Sequence, residues 1–163
     1  MYARDAAVGD RGEATVRQLF EGCGATCTKV PFETKSHYDL SVDLEGTKFS
    51  VEVKLDKMYS VTGNIAIEFY NPLRGEDSGI RATKADLWAH LVYNKKTLEV
   101  WITDVKALKE YIDNNKPFKV ISVGGDQNAS LYLYRGSVLD DLFVRVDELD
   151  CNQLKEVIFG LLD

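Results

Sequence analysis

Asp39, Glu52 and Lys54 are the residues of this chain whose types and spacing could do chemistry. They lie in the run His37-Tyr-Asp-Leu-Ser-Val-Asp-Leu-Glu-Gly-Thr-Lys-Phe-Ser-Val-Glu-Val-Lys54, which reads as two short strands joined by a turn at Glu45-Gly46-Thr47. In the second strand Phe49, Val51, Val53 and Leu55 alternate with Ser50, Glu52, Lys54 and Asp56, so Glu52 and Lys54 share a face. Folding back at the turn brings Asp39 beside them. Two carboxylates and an ammonium at one sheet edge can hold a divalent cation and activate a water. A Glu-X-Lys by itself carries little information, because charged residues usually sit solvated on the surface. The order of the elements around it gives it weight.

Upstream, the segment from Asp10 to Gly24 predicts a helix that begins near Gly9-Asp10, with Val16, Leu19, Phe20 and Cys23 on one stripe and Gly22 and Gly24 marking its end. Glu13 precedes Val16 by one turn and points toward the core side. Two roles fit it. With Asp10 it forms a D-x-x-E pair, a variant of the capping box that would satisfy helix N-terminal amides; alternatively its carboxylate joins Asp39 and Glu52.

The order Glu13, then Tyr38-Asp39, then Glu52-Val53-Lys54 resembles the PD-(D/E)XK nuclease superfamily, whose motif is an acid followed some residues later by Glu-X-Lys. Tyr38 stands where the motif's name has Pro. Within that superfamily the order is most similar to archaeal-type Holliday junction resolvases, where a glutamate of the first helix joins the metal cluster. The resemblance is strongest over roughly residues 9 to 57 and fades after that. It implies a restriction-endonuclease-like fold and a Mg²⁺-dependent deoxyribonuclease in which Mn²⁺ can substitute. Glu13, Asp39, Glu52 and the Val53 carbonyl would be metal ligands, and branched DNA and a homodimer are the implied partners. Lys54 would orient or deprotonate the attacking water, or stabilise the phosphate; beside carboxylates its ammonium form is favoured, which suits the phosphate role better. The same resemblance leaves room for a repair- or restriction-type nuclease, and for a non-catalytic binding module on this fold. Degenerate members usually lose the Glu or Lys of the motif, and this chain keeps both.

Other residues compete or assist. Asp43 shares a strand face with Asp39 but lies nearer the turn, so Asp39 is preferred as the motif acid. Glu68 sits on an alternating strand, Asn64 to Tyr70, that could neighbour the Glu52 strand. The segment from Ser78 to Trp88 reads as a substrate loop: Thr83 would cap a short helix running to about His90, with Arg81 and Lys84 beside its N-terminus as an anion site for a DNA phosphate. His37, two residues before Asp39, could touch substrate. Trp88 and Trp101 read as core.

These residues need a scaffold, and 163 residues suffice for one domain spanning 1–163. Strands and helices interleave, so the class is α/β or α+β, a mixed central sheet flanked by helices. A helix from Asp104 to about Asn114, strands at Phe118 to Val123 and Ser130 to Tyr134 around a Gly124-Gly125-Asp126 turn, and a C-terminal helix opened by Asp147 or Asp150 complete it. No apolar run is long enough to cross a bilayer and no signal pattern opens the chain, which points to the cytoplasm. Cys23, Cys27 and Cys151 are odd in number and lack Cys-x-x-Cys spacing, so reduced thiols are expected rather than disulfides or zinc. The net charge of −6 argues against a general nucleic-acid binder. Local lysines (Lys29, Lys35, Lys48, Lys54 and Lys57) partly offset it.

Overall fold

A computed structural model of the chain describes residues 2–31, 38–124 and 128–163, with side chains from residue 11 onward. His37 and Lys35, and the turn residues Gly125 and Asp126, lie outside the described residues. The first helix, α1 (Tyr2–Glu21), buries Val16 and Phe20 and is followed by Gly24 in the left-handed region (φ 87°). It begins well before Gly9-Asp10. Glu13 therefore sits within the helix, where amides already have intrahelical partners, and the capping-box reading fails.

Strands β1 (Thr26–Lys29), β2 (Leu40–Leu44) and β3 (Thr47–Asp56) follow as an antiparallel run. Glu45 and Gly46 join β2 to β3 with positive φ at both residues (54° and 85°), the turn whose twist matches a two-residue hairpin. The Asp43 carboxylate fastens it by accepting from the Gly46 amide at 3.0 Å. A short helix, α2 (Met58–Thr62), follows. After it come β4 (Asn64–Asn71), β5 (Glu76–Asp77), a 3-10 turn at Gly79–Arg81, β6 (Leu87–Asn94) and β7 (Thr97–Asp104). Helix α3 (Val105–Asn114) is capped by the Asp104 carboxylate, which accepts from the Ala107 amide at 2.7 Å. The chain closes with β8 (Lys119–Val123), β9 (Ala129–Arg135), α4 (Val138–Leu142), β10 (Val144–Arg145) and α5 (Cys151–Leu162), the last opened by a capping box of Asp150 and Gln153.

The result is an α+β fold with two sheets. Six strands in the order β1-β2-β3-β6-β7-β10 form the main sheet, mixed because β3 and β6 run parallel. Helices α1 and α5 cover one face, burying Phe20, Leu154 and Ile158 against Leu40, Val51, Leu91 and Ile102. On the other face Trp88 and Val92 of β6 pack with Ile65 and Ile67 of β4, Leu108 of α3 and Leu139 of α4. Strand β4 belongs to the second sheet, ordered β5-β4-β9-β8, and does not extend the first as a neighbour of β3.

Residues 83–90 do not form the expected helix. The run Leu87-Trp-Ala-His-Leu-Val is buried on both faces, the condition of a central strand, and a parallel neighbour imposes it. Asp86, expected within that helix, instead takes the Ser50 amide at 2.9 Å and so fastens the start of β6 to β3. The expectation of reduced thiols is also corrected: Cys23 and Cys151, 128 residues apart, are joined by a disulfide that ties the end of α1 to the start of α5. Cys27 is a free, buried thiol. Among the described residues no helix is long and apolar enough to cross a membrane.

Candidate active site

The site forms where β2 stops and β3 continues. The last β2–β3 pair is Leu40 with Val51, so from residue 52 onward β3 has a strand neighbour only on the β6 side. Asp39 occupies the gap. Its amide donates to the Val51 carbonyl at 3.0 Å, its carbonyl accepts from the Val30 amide at 3.0 Å, and its Oδ2 accepts from the Val53 amide at 2.8 Å. The side chain thus extends the ladder by one rung. In a strand the amide and carbonyl of one residue leave by the same edge, so the Val53 carbonyl lies on this edge beside Asp39.

Glu52 and Lys54 project from the same face of β3, and Lys54 Nζ stands 3.4 Å from Glu52 Oε1. Glu52 is 9% exposed, whereas the Lys54 side chain keeps about a third of its surface. Helix α1 crosses β3 so closely at Gly12 that a methyl there would sit 3.5 Å from both Val53 and Leu55. This brings Glu13 to the rim, where its carboxylate faces Lys29 Nζ of β1 at 3.3 Å. Glu68 arrives from the second sheet. Gly79, at φ 51°, abuts its backbone, and a Cβ at residue 79 would overlap the Glu68 carbonyl. Glu13, Asp39, Val53, Lys54 and Glu68 together line a cleft of about 460 Å³.

The electrostatics are those of carboxylates short of counter-charge. Burial, reinforced by the charges of Asp39 and Glu68, pushes the Glu52 carboxyl up to about 7 against the opposing pull of Lys54. Burial also raises the Asp39 carboxyl, although the Val53 amide and Lys54 and Lys29 favour its ionised form. Burial pulls the Lys54 ammonium down, but Glu52, Glu68 and Asp39 outweigh it and hold the group above its ordinary value. Lys54 is therefore an ammonium, suited to meeting an anion.

A second buried carboxylate backs the cleft. Asp56 Oδ1 accepts from the Met58 amide and Oδ2 from the Ala66 amide, each at 2.8 Å, and Oδ2 also meets His90 Nε2 at 2.8 Å. His90 Nδ1 lies 3.1 Å from the Trp88 indole nitrogen. An indole N–H can only donate, so Nδ1 accepts and Nε2 carries the proton toward Asp56. Sequence reasoning passed over this network. The contact exists because Lys54 pairs with His90 across the parallel β3–β6 ladder, a register that no local pattern announces.

Other expected site residues lie elsewhere. Asp43 is at the turn, four residues or about 13 Å along the strand from Asp39. Thr83 is buried, and its Oγ1 accepts from the Ala85 amide at 3.1 Å. Arg81 donates to the Tyr132 hydroxyl at 2.7 Å, lies over the Phe69 ring at 4.6 Å and faces Asp77 at 3.8 Å. Lys84 is exposed. None of Arg81, Thr83 and Lys84 lines the cleft, and with β6 in place of a helix there is no helix N-terminus to bind an anion.

Neither protein-family profiles nor the curated proteins give a match to this chain. Among solved structures, a bacterial homing endonuclease is similar over 63% of this chain and 67% of its own, at 21% identity and a TM-score of 0.46. That is a likeness of chain path and says nothing of chemistry.

Proposed function

We propose that this chain is a Mg²⁺-dependent nuclease that hydrolyses phosphodiester bonds in DNA. The observation that carries the reading is the joint between Asp39 and β3: one acid replaces a ladder partner at Val53, next to a buried Glu52 paired with Lys54. Among the described residues no three acidic, histidine or cysteine side chains gather closely enough to enclose a metal by themselves. Mg²⁺ does not require that, because it keeps several waters and takes one or two carboxylates. Asp39, Glu52 and the Val53 carbonyl provide an all-oxygen set of this size, and two carboxyls raised by burial, Glu52 also by the charges of Asp39 and Glu68, gain from a cation. Mn²⁺ suits the same ligands.

When bound, the ion supplies a Lewis acid for the phosphate and a more acidic water. Asp39 and Glu52 would hold it, with Asp39 oriented by the Val53 amide. Lys54, kept as an ammonium, meets the charge that develops on the phosphate. Glu13, whose carboxylate faces Lys29 at 3.3 Å, would be a further ligand. The motif order Glu13, Asp39, Glu52 and Lys54 supports the narrower reading of a Holliday junction resolvase-like endonuclease acting as a homodimer on branched DNA.

The test incubates labelled four-way junction, duplex and single-stranded DNA with the protein, with and without Mg²⁺ or Mn²⁺. Metal-dependent cleavage is expected, together with a Lys54→Ala variant that binds without cutting. Undiminished cleavage by that variant, or cleavage in chelator, overturns the assignment.

A further inference from the structure

Charged and apolar side chains line the cleft together: Asp39, Lys54, Glu68 and Glu13 with Leu55, Met58, Val123 and Leu131, all four apolar ones half-buried. Glu68 and Leu131 are direct partners across β4 and β9. Water-facing aliphatic groups set among charged ones mark a place where something partly apolar is bound. The volume, about 460 Å³, falls in the small-molecule range of roughly 300–1,000 Å³. Glu52, paired with the lining residue Lys54, is almost wholly buried.

The charges point the same way. A protein that tracks duplex DNA neutralises many phosphates and carries a basic stripe. This chain has a net charge of −6; of the two lysines among the described residues that line the cleft, Lys54 already faces Glu52 and Lys57 is exposed. Long-range phosphate attraction is thus a weak source of affinity, and contact with sugar and base faces must supply more of it. In a duplex those base faces are stacked away; in an unpaired nucleotide they are open to packing.

We infer that the cleft accepts one or two unpaired nucleotides, the base and sugar against Leu131, Val123 and Met58 and the phosphate toward Lys54, rather than a length of duplex. This rests on the nuclease reading and names its substrate class: single strands, flaps, frayed ends, or the unpaired positions at a branch point.

The test measures binding by fluorescence anisotropy, with labelled single-stranded oligonucleotides and the same sequences as duplex. Ca²⁺ serves as the cation, a hard oxygen-seeking ion that neutralises the same carboxylates. Single strands are expected to bind at least about tenfold more tightly. Raising salt from about 50 to 200 mM should cost less than about tenfold, where 6–10 phosphate contacts would cost about 10³–10⁵. Leu131→Glu should lose about tenfold in single-strand affinity while Leu131→Met keeps it. Equal or tighter duplex binding, no single-strand binding, or a steep salt dependence overturns the inference, and none of these readings depends on the variants folding. Cleavage in Mg²⁺ separates the two proposals. Duplex and single strand cut equally well would sink the unpaired-nucleotide inference alone; tight single-strand binding without cleavage would sink the nuclease reading alone.

Discussion

Glu52 and Asp56 lie four residues apart on one face of β3, and both are buried. Their surroundings differ. Asp56 accepts two backbone amides and a histidine N–H, enough to replace the water it gave up. Among the described residues Glu52 has Lys54 alone at 3.4 Å and two further carboxylates acting against it. A sated carboxylate joins elements: Asp56 ties β3 to α2, β4 and β6. An unsated one is costly to the fold and belongs where a ligand completes it. One strand thus carries, four residues apart, an acid whose hydrogen bonds are met and an acid left short of partners.

Substitutions should pull these roles apart. The largest effect is on chemistry: Glu52→Gln should lower the cleavage rate by on the order of 10³ while leaving the protein folded. Residual activity near wild type would end the distinction. Asp56→Ala strands two amides and His90 in the interior, and a loss of at least about 3 kcal/mol is expected from urea unfolding. A stability within error of the parent would mean that the Asp56 network is ornamental. The third effect has the opposite sign. Glu52 is near 4.5 when unfolded and about 7 when folded, so its contribution is intact below 4.5 and is lost as pH rises through 7. At pH 8 in chelator, Glu52→Gln should therefore be more stable than the parent by on the order of 2–3 kcal/mol, a few degrees in Tm. At pH 5 the two should melt together; a gap that does not grow with pH refutes the raised carboxyl.

Two smaller effects sharpen the boundary of the site. Glu13→Gln should weaken Mg²⁺ binding by roughly tenfold in calorimetry, as expected of an outer ligand. Arg81→Ala should leave cleavage within about a factor of two, because Arg81 is engaged with Tyr132, Phe69 and Asp77 away from the cleft. A large loss there would restore the loop before β6 as a substrate contact.

What could be read in advance follows from the range of each signal. The hairpin placing Asp39 beside Glu52 is local, set by alternation and by Glu45-Gly46. The helices opened by Asp104 and Asp150 carry their caps in the sequence. Thr83-Lys-Ala-Asp86 mimics such a cap, yet its side chains serve a turn and the Ser50 amide. Burial on both faces then makes Leu87–Asn94 a strand, a tertiary effect that overrides local preference. Glu68 in the cleft depends on how the two sheets meet, the Asp56–His90 contact on the parallel pairing of β3 with β6, and the pairing of Cys23 with Cys151 on how two distant helices meet. Nothing within a dozen residues of any of them encodes it.

The Cys23–Cys151 bond encloses most of the chain between its two ends. If a protease were to nick any exposed loop within that span, the pieces would remain on one covalent thread. The cut molecule would run as a single species on a denaturing gel and separate into two only after a reductant is added.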